Sequence, residues 1–112
     1  MVTGKRLHHR KPLRIAFILE FSTGLVTYGR TVNLSQSGAL LECAGLAMPG
    51  RPLPHPGASA VLSLSFPLSK VITTVRYATR ILHVHSNCVD VSILPFSSTR
   101  ADQIRLAQLL DC

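Results

Sequence analysis

Ala58-Ser59-Ala60-Val61-Leu62-Ser63-Leu64-Ser65-Phe66 alternates with almost no fault. Ala58, Ala60, Leu62, Leu64 and Phe66 fall on one face of an extended chain, and Ser59, Ser63 and Ser65 on the other. A strand that packs one face on a core and turns the other to water has this period of two. The stretch sets the class as mainly β, and the flanking sequence supplies the neighbours.

Downstream, Val71 to Val84 is rich in Val, Ile, Thr and Tyr and reads as one or two further strands. Val89 to Leu94 alternates again, and Pro95 ends it. Upstream, the Pro- and Gly-rich segment from Gly45 to Gly57 reads as a surface loop. Before it, Gly38 to Cys43 reads as a strand. Leu25 to Val32 reads as another, with Val26, Tyr28, Arg30 and Val32 on one face. Pro12 to Glu20 is an apolar run that reads as the first strand, and Phe21 to Gly24 supplies a turn. Residues 1–11 are polar and basic and read as an extended arm.

The period changes near the end. Thr99-Arg100-Ala101-Asp102 fits a capping box, in which Thr99 caps and Asp102 returns a bond to the cap's backbone N–H. Ala101, Ile104, Leu106, Ala107, Leu109 and Leu110 then form an apolar stripe, predicting a helix over 99–111. Short, evenly spaced strands and one terminal helix argue for a small antiparallel barrel. With 112 residues, 1–112 is expected to be a single domain.

Composition narrows the partners. Twelve Lys and Arg against five Asp and Glu give a formal charge of +7, which favours an anionic partner. Cys43, Cys88 and Cys112 have no metal-type spacing, and an odd count does not suggest a disulfide framework. No leader-like segment and no apolar run of membrane-spanning length is present, so a cytoplasmic chain without a membrane span is expected. Glu20, Glu42, Asp90, Asp102 and Asp111 are scattered without an acid/base pair, and no nucleophile has supporting local sequence, so no catalytic residue and no enzyme activity are expected. His83 and His85 share a strand face, but a third ligand at recognisable spacing is missing, so no metal site is expected.

Two segments carry the functional reading. Arg6-Leu7-His8-His9-Arg10 sets two guanidiniums four residues apart on the arm, and an extended chain projects both to one side. Asn33-Leu34-Ser35-Gln36-Ser37-Gly38 lies between two strands. Asn33 offers an amide donor and acceptor, Ser35 can donate to a phosphate or fix the turn, and Gly38 allows positive φ or close backbone approach. In this order, with a strand-like run between them, they read RxxxR followed by (D/N)xSxxG. That pattern resembles the signature of the PilZ domain, the bacterial receptor module for cyclic di-GMP.

The resemblance extends over nearly the whole chain and implies a six-stranded antiparallel PilZ-type β-barrel with a C-terminal α-helix. It implies that Arg6 and Arg10 grip guanine and phosphate, and that Asn33 and Ser35 complete the pocket with the Gly38 turn. It further implies that one dinucleotide or a stacked pair binds and orders the arm against the barrel. Lys5, His9, Ser37 and Arg76 are possible additional contacts. Ser37 departs from the family, where many members have a second Gly. No cofactor is expected beyond the ligand cyclic di-GMP. With no effector domain in this sequence, the output is expected to pass through a partner protein, and a homodimer is possible. Two alternatives stand beside this reading. One is a PilZ-like adaptor that binds protein only. The other is a basic β-barrel that binds nucleic acid; an aromatic content of 5% with no Trp speaks against it, since single-strand binders stack bases on exposed aromatics.

Overall fold

The structure is a computed structural model and describes residues 9–46, 53–94 and 98–111. Six strands and one helix follow one another: β1 (Ala16–Phe21), β2 (Val26–Leu34), β3 (Gly38–Cys43), β4 (Ser59–Leu68), β5 (Val71–His85), β6 (Cys88–Ile93) and α1 (Arg100–Leu110). All pairings are antiparallel, and the order β1-β2-β3-β6-β5-β4 closes on itself through β1 and β4. This is the closed six-stranded barrel with a terminal helix expected from the sequence.

The alternation along β4 holds in three dimensions. Ala60, Leu62, Leu64 and Phe66 of β4 are buried, as are Leu19, Leu41, Val75 and Val91 from the other strands. These side chains fill the interior, as they must in a barrel of this size, where the lumen is too narrow for solvent. The Val71–Val84 stretch forms one strand, joined to β4 by the two residues Ser69 and Lys70, both with positive φ. A two-residue turn of this hand matches the strand twist, and so a single long hairpin forms.

The first strand is shorter than its sequence suggests. Pro12 to Ile15 lies outside it, and β1 starts at Ala16. Arg14 therefore precedes the strand, where its Nη2 pairs with Glu42 at 2.8 Å. Thr31 accounts for the early detour: its hydroxyl donates to the Leu13 carbonyl and accepts from the Ile15 N–H at 2.8 Å. A side chain thus serves the Leu13 carbonyl and the Ile15 N–H in place of ladder partners, while the Thr31 N–H still bonds the Ile15 carbonyl at 2.8 Å.

The helix begins as predicted, with Thr99 Oγ1 accepting from the Asp102 N–H at 3.1 Å. Only half of the capping box forms. The Asp102 carboxylate accepts from the Arg76 N–H of β5 at 3.2 Å, and its other oxygen pairs with Arg105 at 3.2 Å. Tyr77 donates its hydroxyl to the Asp102 carbonyl at 2.7 Å, so the first turn of α1 is bolted to the middle of β5. Leu106 and Leu110 then bury the helix's apolar side. Among the described residues no helix is long and apolar enough to cross a membrane.

Candidate functional site

Among the described residues, the arm meets the barrel through Arg10 and Lys11. Lys11 exchanges two backbone bonds with Leu34 at the end of β2, each of 2.9 Å. Its ammonium donates to the Leu110 carbonyl at the C-terminal end of α1, a helix with no basic residue in its own last turn. A cation there suits the unpaired carbonyls and the negative end of the helix dipole. With Lys11 fixed, Arg10 lies across the outer face of β2, β3 and β6.

Two bulges shape that face. Thr31 points inward opposite Leu41, and two residues on Asn33 would do the same. A register shift at Val32 reverses the parity, so Asn33 stands outside opposite Leu40 while Leu34 returns to the core. A matching shift in β5, at Leu82, follows the inward Ile81 and sets His83 opposite Asp90. The result is an outward row of Asn33, Leu40, Asp90 and His83 across four strands. The next row holds Gly38, Ser92 and Arg80.

Arg10 closes over these rows. Its Nη1 donates to Asn33 Oδ1 at 3.3 Å and lies 2.9 Å from Asp90 Oδ1. Asn33 Oδ1 also accepts from the Leu40 N–H at 3.2 Å, which holds the amide in place. The Arg10 side chain is only 9% exposed, against 20% for Asp90. Its Nη2 sits where a side chain on residue 38 would begin: a Cβ built on Gly38 would be 2.6 Å away. Gly38 therefore serves by close approach, the second of the two uses expected of it.

Ser35 is 1% exposed and its hydroxyl is fully occupied. Oγ accepts from the Ser37 N–H and the Gly38 N–H, both at 3.1 Å, and Ser35 N donates to the Gly38 carbonyl at 2.9 Å. Of its two expected roles, the one visible here is fixing the turn. The N–H groups of residues 37 and 38 are both directed at that hydroxyl. Ser37 Oγ lies 3.4 Å from Ser35 Oγ at the rim of the same turn.

The remaining candidates divide. Lys5 and Arg6 lie outside the described residues. His9 is exposed beside Arg10. Arg76 stands opposite Ser63 on the β4–β5 side, with its backbone held by α1, and is not brought to the rows around Arg10. Arg80, four residues along the same strand, is: it faces Ser92, which in turn faces Gly38. Sequence reasoning passed over Asp90 as one of five scattered acids, yet it is the carboxylate that meets Arg10. Its outward parity beside Ser92 was the available signal, whereas the bulges at Val32 and Leu82 leave none. Among the described residues no group of His, Cys, Asp and Glu is placed to hold a metal ion. A cleft of about 330 Å³ lies at the other end of β2, lined by Phe21, Leu25, Leu53, Pro54 and Ala58 among others, and shares no residue with the Arg10 surface.

Solved structures with the same architecture give this barrel its class. It matches the PilZ domain of CeSA from a cellulose-synthesizing bacterium with a TM-score of 0.62 and 17% identity, over 92% of this chain and 95% of that one. The chain has the PilZ-type fold. It also matches the Bacillus subtilis inhibitor of motility, MotI/DgrA, with a TM-score of 0.70 and 14% identity, over 95% of this chain. The match covers 49% of that protein, so this chain spans about half its length. No protein-family model and no curated protein sequence matches the chain.

Proposed function

We propose that this chain is a receptor module for cyclic di-GMP that passes its occupancy to a partner protein, and that it is not an enzyme. The observation that carries the reading is the placement of Arg10. The fold brings a guanidinium from the arm onto the outward face of the barrel, beside Asn33 and over Gly38, so three positions of the two sequence motifs meet. A guanidinium fork matches O6 and N7 of guanine, its flat face can stack on a purine, and its charge suits phosphate. Asn33 adds an amide against a base edge. Arg80 and Ser92 extend the surface with a further cation and a hydroxyl. Arg6, four residues before Arg10 on the arm, is assigned the second guanidinium, and Ser35 the role of holding the turn on which Gly38 sits.

Calorimetric titration with cyclic di-GMP, beside GTP and cyclic di-AMP, tests the reading. Saturable heat selective for cyclic di-GMP is expected, and its stoichiometry tells a single ligand from a stacked pair. Absence of binding well above micromolar ligand, confirmed by a second method, sinks the receptor reading and leaves a PilZ-fold adaptor that binds protein. Retention of oligonucleotides with a steep salt slope would instead select the nucleic-acid reading.

A further inference from the structure

We propose that Asp90 is an internal competitor for the anion site. Its carboxylate occupies the Arg10 guanidinium in the free chain, latches the arm to the barrel, and must be exchanged for a phosphate when a cyclic dinucleotide binds. The identity of that ligand rests on the receptor reading above; the latch itself does not.

A carboxylate and a phosphate oxygen present the same chemistry to a guanidinium, so each can take the other's place. Asp90 Oδ1 lies 2.9 Å from Arg10 Nη1 and is buried, yet it accepts no directed hydrogen bond from any described group. The pair is held by charge and proximity with poor alignment, which leaves a better-aligned anion room to win. Glu42, the acid of β3, is engaged elsewhere, with Arg14. Exposed His83 is the residue that faces Asp90 from β5, and Leu40 faces it from β3.

The exchange needs little backbone movement. Asn33, fixed by the Leu40 N–H, also accepts from Nη1, so Arg10 can swing about that contact while Lys11 stays paired to Leu34. The latch also raises the threshold for binding. Releasing Arg10 strands a buried carboxylate oxygen, a cost that a lone phosphate cannot offset as well as a ligand that adds base contacts. Asp90 thus favours a base-bearing dianion over inorganic phosphate.

The test uses the full chain and two readouts. Amide exchange of Lys11 and Leu34, whose N–H groups bond across the arm junction, is compared without ligand in the unaltered chain, Asp90→Asn, Arg10→Gln and the double variant. Asparagine keeps the shape and an acceptor, so the barrel is retained. Faster exchange in each single variant, with no further gain in the double, is the expected signature of one shared contact. Calorimetry with cyclic di-GMP is then expected to show roughly tenfold tighter binding in Asp90→Asn, the scale of losing one partly buried competing charge. Exchange that ignores Asp90 overturns the latch. Coupled exchange with unchanged or weaker dinucleotide affinity overturns the competition and makes Asp90 a positioning residue. Coupled exchange with no heat from either chain overturns the receptor reading and the competition that depends on it, and the exchange data separate that result from failure of the latch.

Discussion

Arg10 and Gly38 occupy one space: the guanidinium Nη2 stands 2.6 Å from where a Cβ on residue 38 would be. The Val91 carbonyl oxygen, 3.0 Å from the same point, closes the other side. An added methyl must therefore push against a flexible side-chain end and a backbone oxygen, and the flexible end gives way first. Gly38→Ala is expected to keep the barrel at a cost of about 1 kcal/mol while displacing Arg10. Urea unfolding would show the small loss, and on the receptor reading dinucleotide affinity would fall at least tenfold. Full affinity in a folded Gly38→Ala chain would show that Arg10 need not lie where the structure has it.

Gly29 gives the opposite balance. A Cβ there would lie 2.0 Å from the Glu42 carbonyl oxygen and 3.3 Å from the Phe17 ring. The obstruction is backbone of the neighbouring strand and cannot rotate away, so β2 and β3 must part. Gly29→Ala is expected to destabilise by about 3 kcal/mol or more. A denaturation midpoint equal to that of the unaltered chain would contradict the close approach of these strands.

The receptor reading makes a paired demand of the arm. Arg6→Ala and Arg10→Ala should each abolish cyclic di-GMP binding, and circular dichroism should show an intact barrel. For Arg10→Ala a stability loss of about 1–3 kcal/mol is expected as well, because Asp90 is left buried without its counter-charge. Binding retained in both variants would remove the arm from the site.

Cys43 gives a stability prediction at high pH. Burial in the barrel pushes its thiol from 9.0 up to about 11, against a smaller opposing effect of its hydrogen bond with Thr27. The folded state therefore holds the proton more tightly than the unfolded chain. The stability so contributed is complete below pH 9 and is lost as the pH rises toward 11. Burial raises the Tyr77 hydroxyl in the same sense. Unfolding free energy should fall on going from pH 9 to pH 11, and Cys43→Ala should flatten part of that slope. A slope unchanged by the substitution would place the loss elsewhere.

The helix docking is open to a direct test. Asp102→Ala removes the acceptor of the Arg76 N–H and the partner of Arg105 while leaving the Tyr77 bond to the Asp102 carbonyl. A loss of about 1–2 kcal/mol is expected, with faster amide exchange at Arg76. Unchanged protection of that amide would mean the carboxylate does not hold it.

The barrel was legible because its evidence is local and periodic. β4 and β6 carry their own alternation, the other strands their short apolar or β-branched runs, and Thr99 announces the helix by itself. Gly38–Cys43 was readable to the residue between its flanking turn segments. What could not be read depends on partners remote in sequence. The Thr31 hydroxyl delays β1 by bonding to residues 13 and 15, and Arg76 attracts the Asp102 carboxylate away from its own cap. The bulges at Val32 and Leu82 reverse the faces of Asn33 and His83 without a glycine or proline to mark them. The site was half legible: the motifs pointed to Arg10, Asn33 and Gly38, which meet in space. Asp90, some eighty residues from Arg10, offered only its outward parity, and its meeting with Arg10 needed β3 and β6 side by side.

The bond between Asp102 and the Arg76 N–H bears on self-association. From Val71 to Tyr77, β5 has β4 on one side and no strand on the other among the described residues. Amides that face away from the neighbouring strand in a stretch of this kind can template an added strand. Helix α1 lies against this stretch, and its first turn takes one of those amides. Among the described residues the helix is then the cover on this margin of β5, and shortening it at Thr99 is expected to favour joining of copies of the chain through β5.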